Sequence, residues 1–200
     1  MLVLAGCSSK GEIDATGGIT AVRSACPVVG VPAGTGDITL FNPSTSREAS
    51  AIDVTATLTN LRGSCLVGEQ IVSNLTFDVD ARRTRADAAR DVTLPYFITI
   101  VRGGSAVVAK RIGAVTVHFD AGQQRVRVAG QASSQISRAA ATLSDEVREQ
   151  LTRRRKAGDQ DAAIDPLSKP EVRQAVLRAS FEALVGFQLT NDQLKYNATR

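Results

Sequence analysis

Hydrophobic and polar residues alternate along most of the chain up to about Gly130. Ile52, Val54, Ala56 and Leu58 interleave with Asp53, Thr55, Thr57 and Thr59, and Leu75, Phe77 and Val79 interleave with Thr76, Asp78 and Asp80. A period of two is that of strands with one face in a core and one in water. The same rhythm predicts strands at Thr20–Val29, Ile38–Phe41, Tyr96–Val101, Val107–Phe119 with a bend at Gly113, and Arg125–Val128. Turn signals separate them, among them Pro27, Pro32, Gly34, Asn42-Pro43 and Gly103-Gly104.

The period then lengthens. Between Ala139 and Lys156, Leu143, Val147 and Leu151 recur every four residues, with Asp145, Glu146 and Glu149 early and the Arg153–Lys156 run late. That order of charges suits the dipole of a helix. A second helix is predicted after Ser168-Lys169-Pro170-Glu171, which has the spacing of a capping box. Leu167 and Val172 are placed as its hydrophobic staple, and Val172, Ala175, Val176 and Ala179 form its apolar stripe. Alternation returns over Phe181–Thr190, and a short polar turn is expected at Asn191–Tyr196. Several short strands with a helical pair ahead of the last one predict a mainly β fold. The expected form is an antiparallel immunoglobulin-like β-sandwich with a two-helix insertion over residues 137–180, within a single domain of residues 20–200.

Composition agrees with a folded domain. Of 200 residues, 43% are hydrophobic and 22% charged, which separates the chain from disordered sequences. The net charge of +4 is unevenly placed, because the six basic residues Arg138, Arg148, Arg153, Arg154, Arg155 and Lys156 outweigh three acids in the same stretch. With no Trp and 4% aromatics, the chain lacks the stacking surface of a nucleic-acid binder. No apolar run is long enough to cross a bilayer as a helix.

Residues 1–19 read as a truncated signal peptide, a lipobox and a tether. Leu4-Ala5-Gly6-Cys7 has the small residues that precede an acylated cysteine, and Ser8-Ser9-Lys10-Gly11 is a flexible spacer. Met1–Ala5 holds neither a basic segment nor a full apolar stretch, so the expected start lies upstream. Lipidation of Cys7 leaves Cys26 and Cys65, which an oxidising compartment would join in a disulfide. Two reduced thiols or a metal pair are the other readings. A zinc site is disfavoured by the absence of CxxC spacing and of companion histidines.

Catalytic motifs are missing. There is no G-x-S-x-G, H-E-x-x-H, Walker loop or G-x-G-x-x-G. The single histidine, His118, falls on the polar side of its strand, and Asp78 with Asp80 gives too few oxygens for a hard cation. Arg153, Arg154, Arg155 and Lys156 are the candidate contact for an anion or a partner.

Pro95-Tyr96-Phe97-Ile98, Val108-Ala109-Lys110 and the ending from Leu184 to Asn197 resemble an uncharacterised group of small alphaproteobacterial outer-membrane (envelope) lipoproteins. The resemblance covers the β part from about Ala25 onward. It implies an outer-membrane, periplasm-facing, lipid-anchored address, with no catalytic residues and no cofactor. The expected function is a non-enzymatic accessory or adaptor subunit that binds another protein in an envelope assembly. The alternative is a module binding an anionic envelope polymer or lipid through the basic run. Neither reading fixes an oligomeric state.

Overall fold

The computed structural model describes residues 25–153, 158 and 164–199. The fold is a mainly β sandwich. One sheet has the order β1 (Val28–Gly30), β8 (Phe181–Phe187), β5 (Arg90–Arg102), β6 (Ala106–Phe119). The other has β2 (Asp37–Phe41), β3 (Ile52–Val67), β4 (Gln70–Arg83), β7 (Arg125–Ser137). All pairings are antiparallel except that of β1, which lies parallel to β8 and makes its sheet mixed. Strands β3–β4 and β5–β6 form two hairpins, one in each sheet. Their turns, with Ser137 and Phe181 at the ends of β7 and β8, define one end of the sandwich, called here the upper end.

Alternation builds the core. On β4 the buried residues are Ile71, Ser73, Leu75, Phe77, Val79, Ala81 and Arg83, every second position without a break. The apolar ones, Ile71 to Ala81, meet Leu94, Ile98 and Ile100 of β5, Val115, Val117 and Phe119 of β6, and Ala183, Val185 and Phe187 of β8 in one cluster. Phe97 and Val101, on the outward parity of β5, are buried outside that cluster, as are Val172 and Val176 of the helical insertion.

The strands outrun their sequence signals. β3 continues past Thr59 through a register shift at Asn60, whose positive φ of 51° lets the chain absorb the irregularity. β7 extends from the expected Arg125–Val128 to Ser137 because small residues, Ala132 and Ser134, continue its inward parity. β1 is cut to three residues between Pro27 and Pro32. The part of the expected Thr20–Val29 strand before Ala25 lies outside the described residues.

The helices fall within the predicted insertion with corrected ends. Residues 138–141 form a 3-10 turn, and the first α-helix, α1, spans only Asp145–Thr152, where the Ser144 hydroxyl caps Val147 N–H. Its last turn holds no basic residue, and Arg153 is its C-cap. The second helix, α2, is Pro170–Arg178. The capping box at Ser168 does not form. Pro170 takes the first helical position, which its fixed φ favours, so Lys169 becomes the N-cap without a side-chain bond. Ser168 instead closes a 3-10 turn, donating from its hydroxyl to the Asp165 carbonyl.

The reciprocal box sits at the other end of the chain. Thr190 accepts from the Gln193 backbone at 3.3 Å, and the Gln193 side chain accepts from Thr190 N–H at 2.9 Å. This starts a third helix, α3 (Asn191–Thr199), where only a turn was expected. α3 clips the sandwich shut on the β2 side. Asn197 donates to the carbonyls of Gly34 and Asp37, and Tyr196 meets Phe41 edge-on at 5.2 Å.

Candidate functional site

Cys26 and Cys65 are joined in a disulfide with Cα atoms 5.9 Å apart. Cys26 precedes β1 in one sheet and Cys65 lies on β3 in the other, so the bond fastens the two sheets along one flank. α3 fastens the same flank lower down. On the opposite flank, between the edge strands β6 and β7, the described residues form no such closure, and there the sheets part to leave a cleft of about 480 Å³.

Leu75, Tyr96, Ile98 and Ala132 give this cleft an apolar surface, while Arg111, Asn74, Gln131 and Ser133 add polar groups. One strut crosses it. Tyr96 reaches from β5 to donate its hydroxyl to the Gln131 carbonyl of β7 at 2.6 Å, with its ring edge-on to Phe77. The crossing requires Gly113, since a Cβ there would lie 2.6 Å from the tyrosine ring. The predicted bend at Gly113 is therefore the gap that admits Tyr96. Beside the cleft, β6 from Ala106 to Ile112 is exposed on both faces and is an edge of its sheet. Val107 and Ile112 stand out at 63% and 66% exposure. An uncovered strand edge carries backbone donors and acceptors that another chain can complete.

A polar cluster occupies the lower end. His118 lies 2.6 Å from Asp91 and 3.4 Å from Asp120, all three on the surface. The hydrogen bond to Asp91 holds the imidazolium form and raises the histidine above its ordinary value of about 6.5, with the charges of Asp91 and Asp120 acting in the same direction. Because the group is exposed, its coupling to stability is weak. Its contribution is full below the unfolded-state value and is lost as pH rises through the raised folded value. An NMR titration of this lone imidazole should give a midpoint above 6.5, and Asp91→Asn should lower it. A wild-type midpoint at or below 6.5 would contradict the contact.

Asp78 and Asp80 have separate side-chain partners. Asp78 accepts from Asn60, while Asp80 pairs with Arg127 at 2.6 Å and accepts from Thr59. The Arg127 hydrogen bond, then that of Thr59, lowers the Asp80 carboxyl below its usual range. Among the described residues no group of three or more His, Cys, Asp or Glu is placed to hold a metal. Arg154, Arg155, Lys156 and Cys7 lie outside the described residues. Of the basic run only Arg153 is described, at the exposed end of α1.

Two residues that organise the molecule were missed by motif reading. One is Tyr96, the other Arg83, which is 2% exposed at the lower end. Its guanidinium donates to the carbonyls of Ala88, Asp120 and Gln123, each at 2.6 Å, and lies 5.2 Å from the Phe119 ring centre. The signal was available, since Arg83 continues the inward parity of β4.

Compared with family models, curated proteins and solved structures, the chain finds no match.

Proposed function

We propose that this chain is a lipid-anchored, non-catalytic protein of the outer membrane, facing the periplasm, whose sandwich holds another protein on its open flank. The observation that carries the binding role is the cleft between β6 and β7, bordered by an uncovered strand edge. The partner segment is extended, so that its backbone completes the edge of β6 and its alternate side chains reach the Tyr96–Ile98 floor. Lys110 and Arg111 favour acidic residues in it. The absence of standard catalytic motifs supports a binding role. The address rests on Leu4-Ala5-Gly6-Cys7 and on the resemblance of the β part to envelope lipoproteins, and the Cys26–Cys65 bond fits an oxidising compartment.

The test is a photocrosslinking amino acid placed at Ile112 in the full-length protein in cells, with the same probe at Thr57, exposed on the outer face of β3, as control. The expected result is a discrete protein adduct from position 112 that is absent from position 57, and that is lost with Arg111→Glu. Identical adducts from both positions, or none from 112, would refute the open flank as the binding side. Labelling with a fatty-acid analogue should mark the wild type and not Cys7→Ser.

A further inference from the structure

Exposed aliphatic side chains are common singly on protein surfaces and need no explanation there. Here they are gathered. Among the described residues eleven large hydrophobics are exposed, and six of them, Val28, Leu66, Val67, Val107, Val108 and Leu177, belong to the upper end. Strand register places them together. Leu66 and Val67 close the β3–β4 hairpin, Val107 and Val108 open β6 after the β5–β6 turn, and Val28 pairs with the start of β8. Leu177 belongs to α2 where its carbonyl approaches Gly103 of that second turn.

The charged residues around them are three arginines and two acids, Glu69 in the β3–β4 turn and Glu182 beside Val28, an excess of positive charge. Arg102, Arg138 and Arg178 are exposed here, and none forms an ion pair with a carboxylate among the described residues. Aliphatic tips bordered by more guanidinium groups than carboxylates match the boundary of an anionic bilayer, where apolar side chains leave water and cations meet lipid phosphates. The chain also enters the fold at this end, because Ala25 adjoins Cys26 and its disulfide to Cys65 near the top of β3. The seventeen residues between Cys7 and Ala25 can reach at most about 60 Å. The upper end therefore meets the bilayer without the tether having to pass along the sandwich.

We infer that the upper end is a membrane-contact surface, seating the hairpin tips on an anionic bilayer and leaving the open flank facing sideways. This rests on the lipid-anchored reading for its orientation, but the contact is testable without the anchor. The protein is the full chain carrying Cys7→Ser, and the probe is vesicles of phosphatidylethanolamine with a quarter phosphatidylglycerol, in a sedimentation assay. The expected result is co-sedimentation that weakens at least tenfold with Leu66→Asp/Val67→Asp and also with Arg102→Gln/Arg138→Gln/Arg178→Gln. Leu194→Asp, on α3, should leave it unchanged.

Undiminished binding by the Asp pair, or no binding of the parent protein, would overturn the inference. So would equal binding to vesicles of phosphatidylcholine alone. The aspartates replace exposed residues, and an unchanged melting temperature separates loss of contact from loss of fold. Fatty-acid labelling of the wild type reports the anchor separately. Vesicle binding without label discards the anchor and keeps the surface, whereas label without vesicle binding discards the surface alone.

Discussion

Arg83→Met should lower the melting temperature by roughly 6–12 °C, corresponding to about 3 kcal/mol for a chain of this length. A guanidinium has five N–H donors and no acceptor, and here it meets three carbonyls from two separate connections. These are the β4–β5 connection through Ala88 and the β6–β7 connection through Asp120 and Gln123. Methionine can fill much of the volume but leaves those carbonyls without their donor, and each buried unsatisfied group costs about 1–3 kcal/mol. Arg83→Lys keeps the charge and should also be destabilising, because one ammonium cannot reproduce the planar fork that spans both connections. Thermal melts of the two variants test this, with proteolysis as the local readout. Cleavage should appear first within residues 84–89 and 120–124. A loss below about 1 kcal/mol in both variants would show that the connections hold themselves.

The position of Arg83 shows what periodicity can reveal and what hides it. The run Leu75, Phe77, Val79, Ala81 ends at Arg83 with its parity unbroken, so the inward direction was written in the chain. Residue type argued the other way, because arginine is rarely buried without a carboxylate partner. The carbonyls that replace such a partner come from residues up to forty positions away, and no local pattern announces them. Tyr96 and Gly113 have the same character. Their meeting depends on the register of β5 on β6, which alternation alone does not set.

Alternation served best where one face was uniformly apolar, as in Ile52–Leu58 and Leu75–Val79. It failed where burial was achieved by small side chains, in the upper half of β7, or by a strand that changed register, in β3 at Asn60. At α2 the error comes from competition between capping residues. Ser168 satisfied the spacing of a box, but Pro170 fixed the first helical position one residue later. Thr190 and Gln193 had the same spacing with no proline to shift the start, and there the box formed. The cleft could not be read in advance, because it is the space left between two edges rather than a property of any segment.

The asymmetry of the sandwich makes the disulfide the second strong test. Replacing Cys26 and Cys65 together by serine should cost about 4 kcal/mol, the chain-entropy value for a sequence separation of 39. The expected fall in melting temperature is roughly 8–16 °C. The loss should not spread evenly. β1 is a three-residue strand at the edge of its sheet, so without the bond it has little to hold it against β8. Amide exchange should therefore rise first at Val28–Gly30 and next at Gly63–Val67, while the β5–β6 hairpin and the Tyr96 strut keep their protection. Wild type treated with a reductant should match the double serine variant, since both remove the same constraint from the unfolded chain. If the variant melted within about 1 kcal/mol of wild type, α3 alone would be holding the closed flank. Asn197→Ala in the serine background should then produce the missing loss, because Asn197 is the side chain that ties α3 to the carbonyls of Gly34 and Asp37.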